Sequence, residues 1–372
     1  MEKQMDMKIS IITVCLNSEA TIEQTIKSVL VQKDEHVEYI IVDGNSMDGT
    51  RKIVDKYREG IDVIVSEPDQ GIYDAMNKGI SLAKGEIIGI INSDDWYEPG
   101  TFKTIRETFL NSSADIVYGK MNLVSENGSP ELLVPTDIEK LRYEMEIPHS
   151  TAFVRKDIYE KFGLFSLDYK IAADYDLMLR YYSEGVKFVF LNELLANFRM
   201  GGVSNQQSKV CAYETISISK KYLPYCPSDK RADLEKIIDN KWKPFFFRQL
   251  LDEAPDWFFD GIKNKLHRYS KSQISIFGAG TWGMDMFKLL SGEGFSPSLF
   301  VDNNKNLWEK SKETIRISSP DSLRTFDGIL LILAKGFSEE ILLQVKGLDN
   351  PMLICITWEE LADEFKDHVF PG

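Results

Sequence analysis

The sequence predicts an α/β protein in three parts, and three observations carry that reading. Strand-like and helix-like runs alternate from Ile9 to Ile91. No strand pattern appears from Val210 to Ser270. A second strand, glycine turn and helix then open at Ile274. A βαβα order favours a parallel sheet with right-handed crossovers. The expected parts are residues 1–209 with a mixed, mainly parallel sheet, a helical connector at 210–271, and a small α/β domain at 272–372.

Each element has its own signal. Ile9 to Val14 is an apolar strand, after which Asn17 or Ser18 can cap a helix over Ala20 to Gln32. That helix repeats its apolar residues at Ile22, Ile26, Val29 and Leu30. Tyr39 to Val42 is the second strand and stops at Asp43-Gly44; Thr50 to Arg58 is helical. Asp62 to Val65 is the third strand, followed by a helix over Ile72 to Ala83. Glu86 to Ile91 is the fourth strand and runs into Asn92-Ser93-Asp94-Asp95. Later signals are mixed: strands at Ala114 to Ser125, Ser150 to Val154 and Lys187 to Leu191, a helix over Tyr175 to Ser183, and a polar loop over Asn197 to Ser208.

Composition narrows the classes. The 372 residues carry a formal net charge of −14, which argues against nucleic-acid binding, where a basic face is the rule. Cys15, Cys211, Cys226 and Cys355 lie far apart with no metal-ligand spacing, a pattern of a reducing cytoplasm without zinc. No N-terminal signal is visible, and no run approaches the roughly 18 apolar residues of a membrane-spanning helix.

The acids are the informative feature. Asp43, Glu67, Asp69, Asp94 and Asp95 all follow strands, so a parallel sheet gathers them at its carboxyl edge, where open α/β folds bind ligands. Adjacent carboxylates suit a hard cation such as Mg²⁺ or Mn²⁺ that bridges to substrate phosphates. A solvated turn is the plainer reading of an Asp pair.

Five segments in order make residues 9–208 resemble the family 2 glycosyltransferases of bacterial polysaccharide synthesis. They are Ser10-Ile11-Ile12-Thr13-Val14 with Asn17, Val42 to Thr50, Ser66 to Gly79, Asn92 to Asp95, and Ala173-Asp174-Tyr175-Asp176-Leu177. The resemblance implies the GT-A fold and transfer of a sugar, with inversion, from a nucleotide-diphosphate donor, a UDP-sugar by first expectation, to a saccharide or polyprenyl-diphosphate-linked acceptor. It implies Asp95 as first metal ligand, assisted by Asp94, and Asp174 as the base that deprotonates the acceptor. It also implies a donor site of Thr13, Asn17, Asp43, Asp48, Asp69, Asn77, Asp94, His149 and Arg199, with Asp43 accepting the imide N–H of a uracil. Arg199 with Gly201, Gly202 and Ser204 would form a lid. Ala173 departs from the family's commoner Glu at that position. Asp174 as a helix cap, His149 as a core or surface histidine, and Asp43 and Asp48 as turn-makers remain the alternative readings.

At the C-terminal end Gly278, Gly280 and Gly283 form G-x-G-x-x-G between a strand and a helix, with Asp302 about 20 residues on. Gln273 to Asp363 thus looks like a small Rossmann-like domain and a candidate nucleotide site. No hydride-transfer constellation accompanies it, so a docking or vestigial role is preferred to NAD chemistry. Residues 241–271 interleave Trp242, Phe245, Phe246, Phe247, Trp257, Phe258 and Phe259 with Lys and Arg. They read either as an aromatic core with a basic rim or as a peripheral contact with the inner face of an anionic membrane. A non-catalytic sugar-nucleotide- or NAD-binding regulator, and a bifunctional enzyme with an NAD-dependent C-terminal domain, are the rival functions.

Overall fold

The computed structural model describes residues 7–125, 127–201, 208–269, 271, 273–313 and 315–365. The chain divides into two units, Met1–Ile238 and Asp239–Gly372.

The first unit begins with the expected alternation: β1 (Ile9–Cys15), α1 (Ile22–Leu30), β2 (Val37–Asp43), α2 (Thr50–Lys56), β3 (Val63–Ser66), α3 (Ile72–Leu82) and β4 (Ile87–Asn92). It continues with β5 (Trp96–Tyr97), α4 (Thr101–Asn111), β6 (Ile116–Val124), β7 (Pro130–Leu133), β8 (Phe153–Arg155), α5 (Lys156–Phe162), α6 (Ala173–Ser183), β9 (Phe188–Arg199) and α7 (Ser208–Tyr222). The sheet order is β3-β2-β1-β4-β8-β6-β9-β5, with β7 paired to β6. Strands β1 to β4 are mutually parallel; β8 is antiparallel to both β4 and β6.

Burial on both faces explains why these strands are continuous apolar runs rather than alternating ones. Ile12, Val14, Ile40, Val42, Ile88 and Ile90 enter one core, while Ile9, Ile11, Tyr39, Ile41, Ile87 and Ile91 enter the other. The parallel register sets Cys15 beside Asp43 and Val14 beside Asn92. The acidic strand ends therefore meet at one edge, as the sequence order requires.

Two local expectations change. Ser150 belongs to a 3-10 turn, His149–Thr151, and the strand starts at Phe153. Asn197 to Arg199, expected in a loop, closes β9, whose register with β6 shifts around Lys120. That irregularity interrupts the alternation a single sequence displays. Gly202 and Ser204 of the expected lid lie outside the described residues.

The second unit contains the end of α8 (Ser228–Glu253), α9 (Asp256–His267), β10 (Ile274–Phe277), α10 (Thr281–Gly292), β11 (Pro297–Val301), β12 (Ser311–Lys312), β13 (Ile315–Ser318), β14 (Gly328–Ile332), α11 (Ser338–Lys346), β15 (Leu353–Thr357) and α12 (Trp358–Glu364). Its sheet runs β12-β13-β11-β10-β14-β15 and is parallel apart from the β12–β13 pair. Taken in chain order, strands β13, β11, β10, β14 and β15 lie 3-2-1-4-5, the order of a doubly wound fold without its sixth strand.

The aromatic segment is turned inward. Phe246, Phe247, Phe258 and Phe259 are buried. The Phe247 ring lies 5.4 Å from Trp282 and 5.6 Å from Trp358, and Phe258 lies 4.8 Å from Phe365. These rings form the interior of this unit, in line with the aromatic-core reading of the segment; the side chain of Trp242 lies outside the described residues. Trp257 stays 38% exposed. Among the described residues no helix is long and apolar enough to cross a membrane.

Candidate active site

A pocket of about 1150 Å³ opens at the carboxyl edge of the first sheet. One wall is the turn after β4. Asp95 N–H donates to the Asn92 carbonyl (3.2 Å); the loop before α1 secures the turn through Ser18–Ser93 (2.7 Å), and α1 does so through Thr25 Oγ1, which donates to the Asp95 carbonyl (2.6 Å). Asp94 lines the pocket. Asp95 is fully buried behind it, accepting from Ser150 Oγ (2.7 Å) and Arg199 N–H (3.1 Å). Asp94 is thus the one of the pair that lines the pocket, while both Asp95 carboxylate oxygens are engaged by protein donors. Burial and then the Asp94 charge push Asp95 up to about 8; burial also raises Asp94.

Asp174 and His149 also line this pocket. Asp174 is the second residue of α6, and its Oδ1 accepts from Tyr175 N–H (2.9 Å) and Tyr73 Oη (3.4 Å). The N-cap is Ala172, so Asp174 does not cap the helix. Burial raises the Asp174 carboxyl above its ordinary range, opposed chiefly by His149. Both His149 ring nitrogens are buried without a hydrogen-bond partner. Burial lowers the imidazole's proton affinity, opposed by the Asp174 charge. A desolvated carboxylate beside an unsatisfied imidazole is a basic, high-energy arrangement of the kind found at functional sites.

Asn17, Asp69 and Arg199 line the pocket as expected of a donor site. Asn17 adopts φ +50° and accepts from Met47 N–H (2.9 Å), tying the β1 and β2 loops together instead of capping α1. Asp69 accepts from Gly71 N–H (2.9 Å). Arg199 donates to the Asp94 carbonyl (3.3 Å) and to Gln24 (2.7 Å), with its guanidinium 5.2 Å from the Trp96 ring centroid.

Four expected donor residues do not line it. Thr13 is buried on the far face of β1, bonded to Tyr39 Oη (3.1 Å). Asp43 is buried and accepts from Ser46 N–H and Oγ and from Ser66 Oγ (2.6 Å), which makes it the organiser of the β2 turn. Asp48 accepts from Thr50 and Glu19 N–H (3.0 and 3.1 Å), a turn-making role. Asn77 bonds both ways with the Phe165 backbone (2.9 and 3.0 Å), a structural tie between α3 and the segment joining α5 to α6.

Tyr73, Lys170 and the apolar side chains of Met121, Leu133, Met145, Ile147 and Met200 also line the pocket, with no role expected from the sequence. Tyr73 lies within the Ser66 to Gly79 segment; Met121 and Leu133 come from β6 and β7, and Met145, Ile147 and Met200 from connecting segments, with no shared local signal. Among the described residues, no group of three or more His, Cys, Asp or Glu is placed to hold a metal ion. The Asp94–Asp95 pair, raised by burial and like charge, fits instead an ion that takes one or two protein carboxylates and completes its shell with water and phosphate oxygens.

In the second unit a pocket of about 550 Å³ is lined by Arg248, Gly278, Gly280, Thr281, Asp302 and Lys335, among others. Gly278 has φ +101°, and a Cβ on Gly283 would lie 1.9 Å from the Gly278 carbonyl oxygen. Both glycines are thus required by the turn itself. Asp302 accepts from Ala279 and Asn304 N–H (2.9 and 2.8 Å), holding the glycine turn to β11.

Comparison with known proteins agrees with the first unit's geometry. Residues 10–168 match the family model described as Glycosyl transferase family 2. A PGL/p-HBAD biosynthesis glycosyltransferase of Mycobacterium tuberculosis is 28% identical over 240 residues, 62% of this chain and 88% of that protein. TuaG of Bacillus subtilis, a glycosyltransferase assigned to teichuronic acid biosynthesis, is 34% identical over 125 residues, 33% of this chain and 50% of that protein. Residues 1–349 of S. aureus TarS, solved with UDP-GlcNAc, superpose with a TM-score of 0.54 at 18% identity, covering 68% of this chain and 79% of that one. In a longer TarS chain the match covers 43% of the length. The likeness to TarS is one of fold.

Proposed function

Because residues 10–168 match the family model described as Glycosyl transferase family 2, we propose that this chain is an inverting, metal-dependent transferase that moves a sugar from a UDP-linked donor to a saccharide or polyprenyl-diphosphate-linked acceptor in surface polysaccharide synthesis. The observation that carries this reading is a single pocket with Asp94 in one wall and Asp174 in another. One-step inversion needs a base on the face opposite the leaving group. Asp174 takes the proton of the acceptor hydroxyl as its oxygen attacks the anomeric carbon and the diphosphate leaves. The raised proton affinity of Asp174 favours that transfer.

Asp94, with Asp95 behind it, would hold a divalent ion at the diphosphate. Such an ion supplies Lewis-acid stabilisation of the departing charge. Arg199 adds a positive charge on the same side. The apolar lining of Met121, Leu133, Met145, Ile147 and Met200 suits the less polar portion of an acceptor. A cytoplasmic site of action fits four cysteines that are all free thiols. With Phe246, Phe247, Phe258 and Phe259 buried, the described part of residues 241–271 leaves membrane contact to basic side chains and the exposed Trp257. The glycine turn of the second unit is read as a packing device rather than a redox site.

The test is nucleotide release from UDP-, GDP-, dTDP- and CMP-sugars with Mn²⁺ or Mg²⁺ and with EDTA, for wild type, Asp94→Ala, Asp95→Ala and Asp174→Asn. Metal-dependent release from one donor, lost in the Asp94 and Asp174 variants, is expected. No release and no metal-dependent binding of any sugar nucleotide would leave the regulatory reading in its place.

A further inference from the structure

The segment that carries Asp174 has no local device to hold it. Ala172, the N-cap of α6, offers no side-chain acceptor, and Ala173 is fully buried. A helix start leaves backbone N–H groups unsatisfied. Here the acceptor comes from about forty residues away. Glu214 on α7 accepts from Lys170 N–H through Oε1 (2.8 Å) and from Ile171 and Ala172 N–H through Oε2 (2.9 Å each). From the opposite side Tyr73 Oη donates to the Ile171 carbonyl (2.5 Å) and reaches Asp174 Oδ1 (3.4 Å). Residues 170–172 are therefore clamped through their N–H groups by one helix and through a carbonyl by another. Lys170, Ile171 and Asp174 all line the pocket.

Further along, α7 also fixes the register of α6. Tyr175 Oη meets Ser219 Oγ (2.8 Å), and Lys221 Nζ meets Asp176 Oδ1 (2.8 Å). Glu214 is the only one of these three braces that acts on the pocket wall itself.

We propose that Glu214 is a positioning residue: its carboxylate, on three consecutive N–H groups, sets where Asp174 stands relative to the acceptor hydroxyl. The inference rests on the transferase reading above. Charge-assisted bonds of this kind are stronger than neutral ones, and the positive end of α6 adds to them. The reacting distance tolerates little error, since a shift of about 1 Å at a catalytic group can cost about 100-fold in rate.

The experiment compares wild type, Glu214→Ala, Glu214→Gln and Ser219→Ala. UDP release from UDP-GlcNAc is measured with Mn²⁺, UDP binding by calorimetry, and amide hydrogen exchange at residues 170–172. Glu214→Ala should lower kcat about 100-fold with KM and UDP affinity within about twofold, and should speed exchange at those amides. Glu214→Gln keeps one neutral acceptor oxygen and should recover about tenfold of that loss. Ser219→Ala removes a buried brace remote from the wall, so its melting temperature should fall while kcat stays within about twofold of wild type. Wild-type kcat in Glu214→Ala with a lowered melting temperature, or an equal kcat loss in Ser219→Ala, overturns the proposal. A wild type that is silent and binds no UDP removes the UDP-linked donor, and the kcat comparison is then made with whichever sugar nucleotide of the panel is turned over; silence and no binding across that panel remove the transferase reading, and unchanged amide exchange in Glu214→Ala disposes of the clamp independently.

Discussion

Replacing Asp174 by Asn separates catalysis from stability with opposite signs. The amide is nearly isosteric, and its Oδ1 can still accept from Tyr175 N–H and Tyr73 Oη. Only the ability to take a proton is lost. A positioned base contributes about 10²–10⁴-fold, or about 3–5 kcal/mol of barrier. Enclosure keeps bulk water from substituting for it, so a kcat loss of about 10³-fold or more is expected. Stability should move the other way. Burial raises Asp174 above its ordinary 3.8, so the folded protein holds this proton more tightly than the unfolded chain. Stability contributed by the protonated acid is then present below 3.8 and is lost as pH climbs through the folded value. Asn carries no such loss. The variant should therefore melt higher than wild type at pH 7.5, with the gap closing as pH falls towards 4. The acid limb of wild-type kcat/KM should lie above that of an exposed carboxylate. Turnover above about a tenth of wild type would remove Asp174 as the base. A melting temperature lowered equally at both pH values would make the carboxylate structural.

Three further outcomes follow from named contacts. Gly283→Ala places a Cβ 1.9 Å from the Gly278 carbonyl oxygen, whereas Gly280→Ala meets nothing within 4 Å; the first should cost about 1–3 kcal/mol by urea unfolding and the second almost nothing. Lys221→Met leaves the carboxylate of Asp176, 1% exposed, with Tyr222 Oη (3.3 Å) as its remaining side-chain donor. A loss of about 1–3 kcal/mol is expected. Arg199→Ala deletes the cation beside Asp94, and donor KM should rise about tenfold, the equivalent of one charge-assisted bond, with the melting temperature little changed.

The order of elements and the acidic edge were legible because they depend on local pattern. Fully buried parallel strands read as apolar runs, and a parallel register carries every strand end to the same side. Asp94 and Asp174 could be named because each sits at such an end or at the helix start that follows. Thr13 and Asn77 lie off the pocket lining for a physical reason: both are polar residues in the right neighbourhood whose side chains bond to Tyr39 and to the Phe165 backbone. Position along a strand is visible in sequence; the face a side chain takes at a strand end is decided by what packs there. Asp43 and Asp48 read equally as ligand or turn residues, and the structure shows their turn contacts, with Ser46, Ser66 and Thr50 as the donors.

The aromatic segment shows the same limit. Phe247 and Phe258 have the composition of a membrane-docking surface, yet composition does not say whether a ring meets lipid or Trp282, Trp358 and Phe365. Short-range periodicity and strand direction suffice for the αβ alternation and the gathering of carboxylates, and five ordered motifs for the family resemblance. Packing alone sets Asp95 behind Asp94, His149 and Tyr73 near Asp174, and Glu214 on residues 170–172. Those pairings join residues tens of positions apart, and no chain-local preference fixes a contact whose partner arrives through packing.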